Sequence, residues 1–261
     1  MQASPDPHMG QIPQRQNTIE SKIDEILEQT NEPPRGHLGC SILGHECERW
    51  IWLSFRWSVI ESFPGRIKRL FQRGHDEEKR FVDLLELAGC ETKNTLDDQV
   101  LLDFGGHIKG SPDGIIMFGV PQAPNKPHLV EFKTHALKSF DDVVKQGVEK
   151  SKPMHYAQMQ LYMHGTETER ALYMAVCKND DRLYTERVKY DKDAAEALLA
   201  KGRRVATTAR IPDPISTDPS WYKCKFCPAY DLCHQGQPTR EVNCRTCAHS
   251  TAEPDGSWSC S

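Results

Sequence analysis

The chain has 261 residues, 38% of them hydrophobic and 27% charged, with a net charge of -4. This composition supports one substantial core with appendages. It contains nothing near the roughly 20 consecutive apolar residues of a membrane span, and its opening residues lack the apolar core of a secretion signal, so a soluble cytoplasmic protein is expected. The net charge excludes no class of partner, because clustered Lys and Arg can set a local field whatever the total.

Residues 1–17 are rich in Pro and Gln and read as a mobile tail. Ile19, Ile23, Ile26 and Leu27 then recur at helical spacing over Thr18 to Gln29, and Pro33-Pro34 closes that segment. A second helix is expected from Ser41, as its cap, through Trp57. Its Trp50, Trp52, Phe55 and Trp57 offer a large apolar surface, while Arg49 and Arg56 suit either phosphate contacts or ion pairs. Pro64 to Ala88 predicts a long helix stopped by Gly89. Its apolar stripe runs through Ile67, Phe71, Val82 and Leu85, and Glu78 falls in the middle of it. A carboxylate there is costly without a partner, so metal coordination or a buried ion pair is implied. His75, on the edge of the stripe, is a second candidate, whereas Asp76, Glu77 and Lys79 point outward.

Gln99 to Phe104 and the run after Gly114 predict antiparallel strands leading to the segment with the densest chemistry. Asp113 sits at a Pro-Asp-Gly bend before the apolar run Ile115 to Phe118, and Leu129 to Lys133 has the alternation of a further strand. With side chains alternating at period 2, Glu131 and Lys133 share one face and Val130 and Phe132 take the other. Carboxylates converging from adjacent strands make a hard-oxygen site for Mg²⁺ or Mn²⁺, and a lysine beside them can orient or deprotonate water. That combination suits metal-assisted phosphodiester hydrolysis. Each piece alone is ordinary: Pro-Asp-Gly is a common turn, and Glu-Phe-Lys a common amphipathic strand end.

Helices are expected near Ser139 to Gly147 and over Pro153 to His164. In the latter, Met154, Ala157 and Leu161 form the packed face, and Gln158 and Tyr162 stand together at i, i+4 on its border. Such polar groups can hold a phosphate, a sugar or a bound water. Arg170 to Lys178 and Leu183 to Tyr190 predict strands joined by the turn at Asn179 to Asp181, with Cys177 in the core and Cys90 likewise without a partner. Asp191 to Arg210 predicts a helix whose Lys201, Arg203, Arg204 and Arg210 offer backbone contacts or a solvated face.

Ten cysteines are many for an unsecreted chain, and their spacing argues for metal ligation over disulfides. Cys224, Cys227 and Cys233 form a C-x2-C-x5-C run that leaves one ligand to come from elsewhere. A 4Fe-4S cluster and Zn²⁺ both accept such a set. Cys244, Cys247, His249 and Cys260 are a weaker group, suited to a separate Zn²⁺ or to a flexible, partly reduced tail.

Taken together and in order, Pro112, Asp113, Glu131 and Lys133 resemble the pattern of the PD-(D/E)XK nuclease superfamily. The Gln158-x3-Tyr162 element is similar to that of its RecB-like branch. One early cysteine with a late C-x2-C-x5-C resembles AddB-type nucleases and the iron-sulfur exonucleases of CRISPR adaptation. The resemblance, over roughly Ser41 to His234, implies an α/β fold: a restriction-endonuclease-like core, with a central mixed β-sheet flanked by helices, followed by a C-terminal cysteine-rich segment. It implies a nuclease domain over 18–240 closed by a cysteine cluster, between the 1–17 tail and a 241–261 tail. Asp113 and Glu131 would bind Mg²⁺ or Mn²⁺ with help from Glu78 or His75 and from the Phe132 carbonyl. Lys133 would position the attacking water, and Gln158 and Tyr162 would organise substrate and solvent. Cys47 would be the fourth ligand of the iron-sulfur cluster, with Cys40 as the runner-up. The implied activity is exonuclease action on DNA ends in recombination, repair or defence, in a prokaryotic or phage setting, with DNA and a recombination or annealing protein as partners. Two alternatives are a nucleic-acid-binding subunit that has lost catalysis and an iron-sulfur redox sensor using the same fold as scaffold.

Overall fold

The computed structural model describes residues 18–30, 33–239 and 241–261; the 1–17 stretch lies outside them. The described residues fall into two compact units, one comprising 18–30 together with Ser62–Gln72, the other comprising Pro33–Glu61 and the described residues from Arg73 onward. In the smaller unit α1 (Ile19–Gln29) starts at a reciprocal cap between Thr18 and Ser21. Asp24 pairs with Arg69, and Lys68 donates to the Leu27 carbonyl at 2.6 Å. Phe71 meets Phe63 edge to face at 5.0 Å and stays half exposed, not buried in a core stripe as expected.

The larger unit opens with β1 (Leu38–Gly39), α2 (Cys40–Leu43) and α3 (Glu48–Phe55). The single helix expected from Ser41 to Trp57 is thus two, and Gly39, not Ser41, holds the first N-cap position. The break has a packing cause. A Cβ on Gly44 would lie 2.8 Å from Ala157 Cβ and 2.9 Å from Met154 Cα, so the chain turns where another helix presses on its backbone. There follow α4 (Gly65–Leu87), β2 (Glu91–Lys93), β3 (Leu102–Asp103), β4 (Ile108–Gly110), β5 (Gly114–Phe118), β6 (His128–His135), α5 (Leu137–Ser151) and α6 (Pro153–Thr166). The chain continues through β7 (Arg170–Cys177), β8 (Leu183–Lys189), α7 (Lys192–Thr207), α8 (Tyr222–Lys225), α9 (Tyr230–His234), β9 (Ser250–Ala252) and β10 (Trp258–Cys260).

The central sheet has the order β2-β5-β6-β7-β8. It is mixed: β6 and β7 run parallel, with α5 and α6 as their crossover, and the other neighbours are antiparallel. Strict alternation sends successive residues to two cores. Val130, Phe132, Leu172, Met174 and Val176 pack under Phe81, Val82 and Leu85 of α4. Leu129, Ala171, Tyr173 and Ala175 pack with Met159, Leu161, Tyr162 and Met163 of α6 and Leu199 and Val205 of α7. Helices therefore flank a central mixed sheet, as expected. The strand expected at Gln99 to Phe104 is shorter and belongs elsewhere: β3 pairs with β4, not with the run after Gly114, in a small sheet ordered β1-β4-β3. Cys90 and Cys177 are buried core residues.

The C-terminal segment is fastened to the core. Arg245 is buried with its guanidinium 3.9 Å from the Trp57 ring centroid and 4.8 Å from that of Trp258, and it donates to the Phe55 carbonyl at 2.9 Å and the Gly36 carbonyl at 2.6 Å. Among the described residues no helix is long and apolar enough to cross a membrane.

Candidate active site

The bend before β5 and the middle of β6 are joined by one hydrogen bond, from the Phe132 N–H to Asp113 Oδ2 at 2.7 Å. A carboxylate that accepts from the strand carrying Glu131 and Lys133 is held against their face. Glu131 and Lys133 do share that face, since the residues between and beside them, Val130 and Phe132, pack into the α4 core. Lys133 Nζ is ion-paired with Glu131, stands 4.0 Å from Asp113 Oδ2 and donates to the Phe132 carbonyl at 3.0 Å. One ammonium thus faces both acids.

Glu131 is fully buried, and its ion pair with Lys133 is the one polar contact of a carboxylate whose two oxygens otherwise accept no hydrogen bond among the described residues. Burial raises its pKa to about 7 against the pull of Lys133, and the neighbouring charges of Asp113 and Glu78 push the same way. Burial works against the Lys133 ammonium, but the Glu131 and Asp113 carboxylates more than reverse this, so its pKa is raised and it stays protonated. Glu78, half buried, has its pKa raised by burial and then by Asp113. His75 stands behind it, exposed, with Nδ1 3.2 Å from Glu78 Oε1. Of the two helix candidates, Glu78 is the one beside Asp113. Glu77, expected to face solvent, is mostly covered and paired with Arg80 at 3.2 Å.

On α6, Gln158 Nε2 donates to the Tyr162 hydroxyl at 3.3 Å, and Tyr162 is buried with a pKa raised by burial and by Glu131. Gly110 makes room for that ring. A Cβ there would lie 2.7 Å from Tyr162 Cε1 and 2.9 Å from Cys40 Sγ. Sequence reasoning passed over Gly110, whose signal was its place next to the Pro-Asp-Gly bend. It also missed His135, two residues beyond Lys133 in the period of the strand, and His155, three before Gln158 in the stripe of the helix.

Asp113, Glu131, Lys133, Gln158 and Tyr162 are therefore brought to one region, with Glu78 at its edge. The basic segment of α7 is largely engaged within the molecule: Lys201 donates to the His45 carbonyl, Arg203 to the Phe104 carbonyl, and Arg204 pairs with Glu48. Arg49 donates to the Pro212 carbonyl at 2.7 Å, and Arg56 is buried against the C-terminal segment, so both arginines are structural.

Cys47, at the N-cap of α3, packs with Cys227 and Cys233 around Trp50, Leu53 and Ala229. The Cys224 thiol is raised by burial and then by Cys47 and Cys233, and the Cys227 thiol by burial and then by Cys233, Cys47 and Cys224. Cys40 lies elsewhere, against Tyr162. Cys244, Cys247, His249 and Cys260 are exposed around the β9–β10 hairpin. Among the described residues no three or more His, Cys, Asp or Glu side chains are grouped so that they could hold a metal ion as they stand.

A family model described as the PD-(D/E)XK nuclease superfamily matches residues 13–234. Among solved structures, SSO0001 is 16% identical, with 87% of this chain and 100% of that chain covered and a TM-score of 0.48. LHK-Exo in complex with dAMP is 16% identical over 71% of this chain and 90% of that one, with a TM-score of 0.49. LHK-Exo, an alkaline exonuclease from Laribacter hongkongensis, is also matched in a second structure, over the same shares at 16% identity and a TM-score of 0.45. No curated protein sequence matches significantly.

Proposed function

This chain belongs to the PD-(D/E)XK nuclease superfamily, and within it we propose a divalent-metal-dependent deoxyribonuclease of the RecB-like branch, acting as an exonuclease on DNA ends. The observation that carries the metal assignment is Glu131, fully buried with no polar contact among the described residues beyond the Lys133 ammonium that it shares with Asp113. A buried, under-satisfied carboxylate beside a second acid fits a hard cation. Asp113, Glu131 and the Phe132 carbonyl would hold Mg²⁺ or Mn²⁺, with Glu78 in support. The ion supplies positive charge at the phosphodiester and acidity for the attacking water.

Lys133 is a permanently charged donor in this setting, so its role is to orient water and to stabilise the charge that develops on the phosphate, not to accept a proton. Gln158 and Tyr162 order substrate and solvent along α6. This pair, together with the late cysteine run, is what supports the RecB-like branch and action at ends. Cys47, Cys224, Cys227 and Cys233 would hold a 4Fe-4S cluster closing a nuclease domain over 18–240. Four soft thiolates are the ligand set that such a group takes.

Purified protein with Mg²⁺ or Mn²⁺, end-labelled linear DNA and closed circular DNA tests the activity, with Lys133→Ala as control. Shortening of linear DNA by the wild type alone, with circles intact, is the expected outcome. Binding without cleavage by both proteins would leave a nucleic-acid-binding chain in place of a nuclease.

A further inference from the structure

Beyond the acids and the lysine, the same face of the sheet carries a chain of neutral polar groups. Tyr173 is directly opposite Glu131 in the parallel β6–β7 register and is fully buried. Its hydroxyl lies 2.7 Å from His135 Nε2 and 3.0 Å from His155 Nδ1. His135 Nδ1 is in turn 3.1 Å from the hydroxyl of half-buried Ser139, at the start of α5. The three rings are stacked, with centroids 5.9 to 6.3 Å apart. His155 shares a helical stripe with Gln158 and Tyr162, and Lys133 is the largest charge acting on it, so its end of the chain lies toward the acid–lysine cluster while half-buried Ser139 at the other end is partly open to solvent.

We propose that His155, Tyr173 and His135 form a proton relay that carries the proton of the attacking water from the Asp113–Glu131–Lys133 face to solvent beside Ser139. This rests on the nuclease reading above. The transfer balances. The water gives its proton to His155 Nε2, His155 Nδ1–H passes one to the Tyr173 oxygen, and the Tyr173 hydroxyl proton moves to His135 Nε2. His135 Nδ1–H then passes one to Ser139, whose hydroxyl releases one to solvent. Each group accepts one proton and donates one, so no charge is stored. Storage would be unfavourable here. Burial, reinforced by Lys133, Lys152 and Lys178, pushes His135 down to about 4, and burial with Lys133, His135 and Lys152 pushes His155 down to about 3. Lys133 is already protonated and takes nothing.

Tyr173→Phe removes the central hydroxyl and keeps the ring. In single-turnover cleavage of prebound DNA with Mg²⁺, the relay predicts at least a ~10-fold slower step with unchanged DNA affinity. The solvent deuterium effect should change from a curved dependence on deuterium fraction in the wild type to a linear one. His155→Gln should behave likewise. A Tyr173→Phe rate within twofold of wild type, with the same isotope dependence, overturns the relay. Should the wild type cut no DNA, the nuclease reading fails separately, and imidazole ¹⁵N shifts still judge the chain. Complementary fixed tautomers of His135 and His155 that change together in Tyr173→Phe support it, and averaged shifts indifferent to that substitution overturn it.

Discussion

The Phe132 N–H donates to Asp113 Oδ2 at 2.7 Å, so the acid at the bend is tied to the strand that carries Glu131. Asparagine keeps an acceptor for that bond and removes the charge. Asp113→Asn should therefore leave the fold intact, and the melting temperature should stay close to that of wild type because relief of the repulsion with Glu131 and Glu78 offsets the lost attraction to Lys133. Cleavage should fall by about 10²–10³-fold, the scale on which preorganised charge acts. Thermal melts and initial rates measured on the same preparation check both halves.

Glu131 gives a pH signature. Its pKa in the fold is raised to about 7 from an ordinary 4.5, so between those values the folded chain holds a proton that the unfolded chain has lost. Its contribution to stability is complete below the lower value and is lost as pH rises through the upper one. The depressed histidines His135 and His155 act in the opposite sense at acid pH, so the difference between wild type and Glu131→Gln isolates the effect. In EDTA, wild type should lose stability relative to Glu131→Gln from pH 5 to pH 8. Added Mg²⁺ should stabilise wild type more at the upper end. Melting curves of both proteins that stay parallel across this range would refute the buried acid's titration.

Gly110 links sequence to site through space alone. A methyl group there would collide with the Tyr162 ring and the Cys40 sulfur. Gly110→Ala should cost about 1–3 kcal/mol of stability, the range for overpacking, and should slow cleavage as much as Tyr162→Phe does. Gly110→Ala/Cys40→Gly, which vacates one side of the clash, should recover part of both. Denaturant unfolding and cleavage rates report the two effects independently.

The acid–lysine cluster was legible because strand alternation is rigid: once β6 was identified, Glu131 and Lys133 had to face one way. The Glu78 position followed similarly from the α4 stripe, whose later members Phe81, Val82 and Leu85 pack in the folded core while half-buried Glu78 feels the charge of Asp113. What the sequence hid were contacts between distant segments. The break at Gly44 depends on Ala157 and Met154 pressing from α6, and the pairing of β3 with β4 depends on a turn, not on any apolar pattern. His135 and His155 lie 20 residues apart in sequence, and only Tyr173, from a third element, joins them.

The cysteine assignment separates two early candidates. Cys47 packs with Cys227 and Cys233, whereas Cys40 packs against Tyr162. Cys47→Ser should lose the brown absorption of an iron-sulfur cluster together with iron and acid-labile sulfide, and the melting temperature should drop. Cys40→Ser should keep all three. Zinc in place of iron after anaerobic purification would reassign the metal while leaving the ligand set in place.

The C-terminal segment, expected from sequence to be either a zinc site or a loose tail, is anchored by a buried arginine. Arg245 holds it by stacking between Trp57 and Trp258 and by donating to the Phe55 and Gly36 carbonyls. Removing that side chain leaves buried acceptors unpaired and an unfilled space between aromatic rings. Arg245→Ala should cost about 2–4 kcal/mol. It should also open the region around the β9–β10 hairpin to limited proteolysis before the central sheet. Arg245→Lys should rescue little, because an ammonium neither stacks nor reaches two carbonyls as a planar fork does. Proteolysis of Arg245→Ala no faster than that of wild type would show that the segment is held by other contacts.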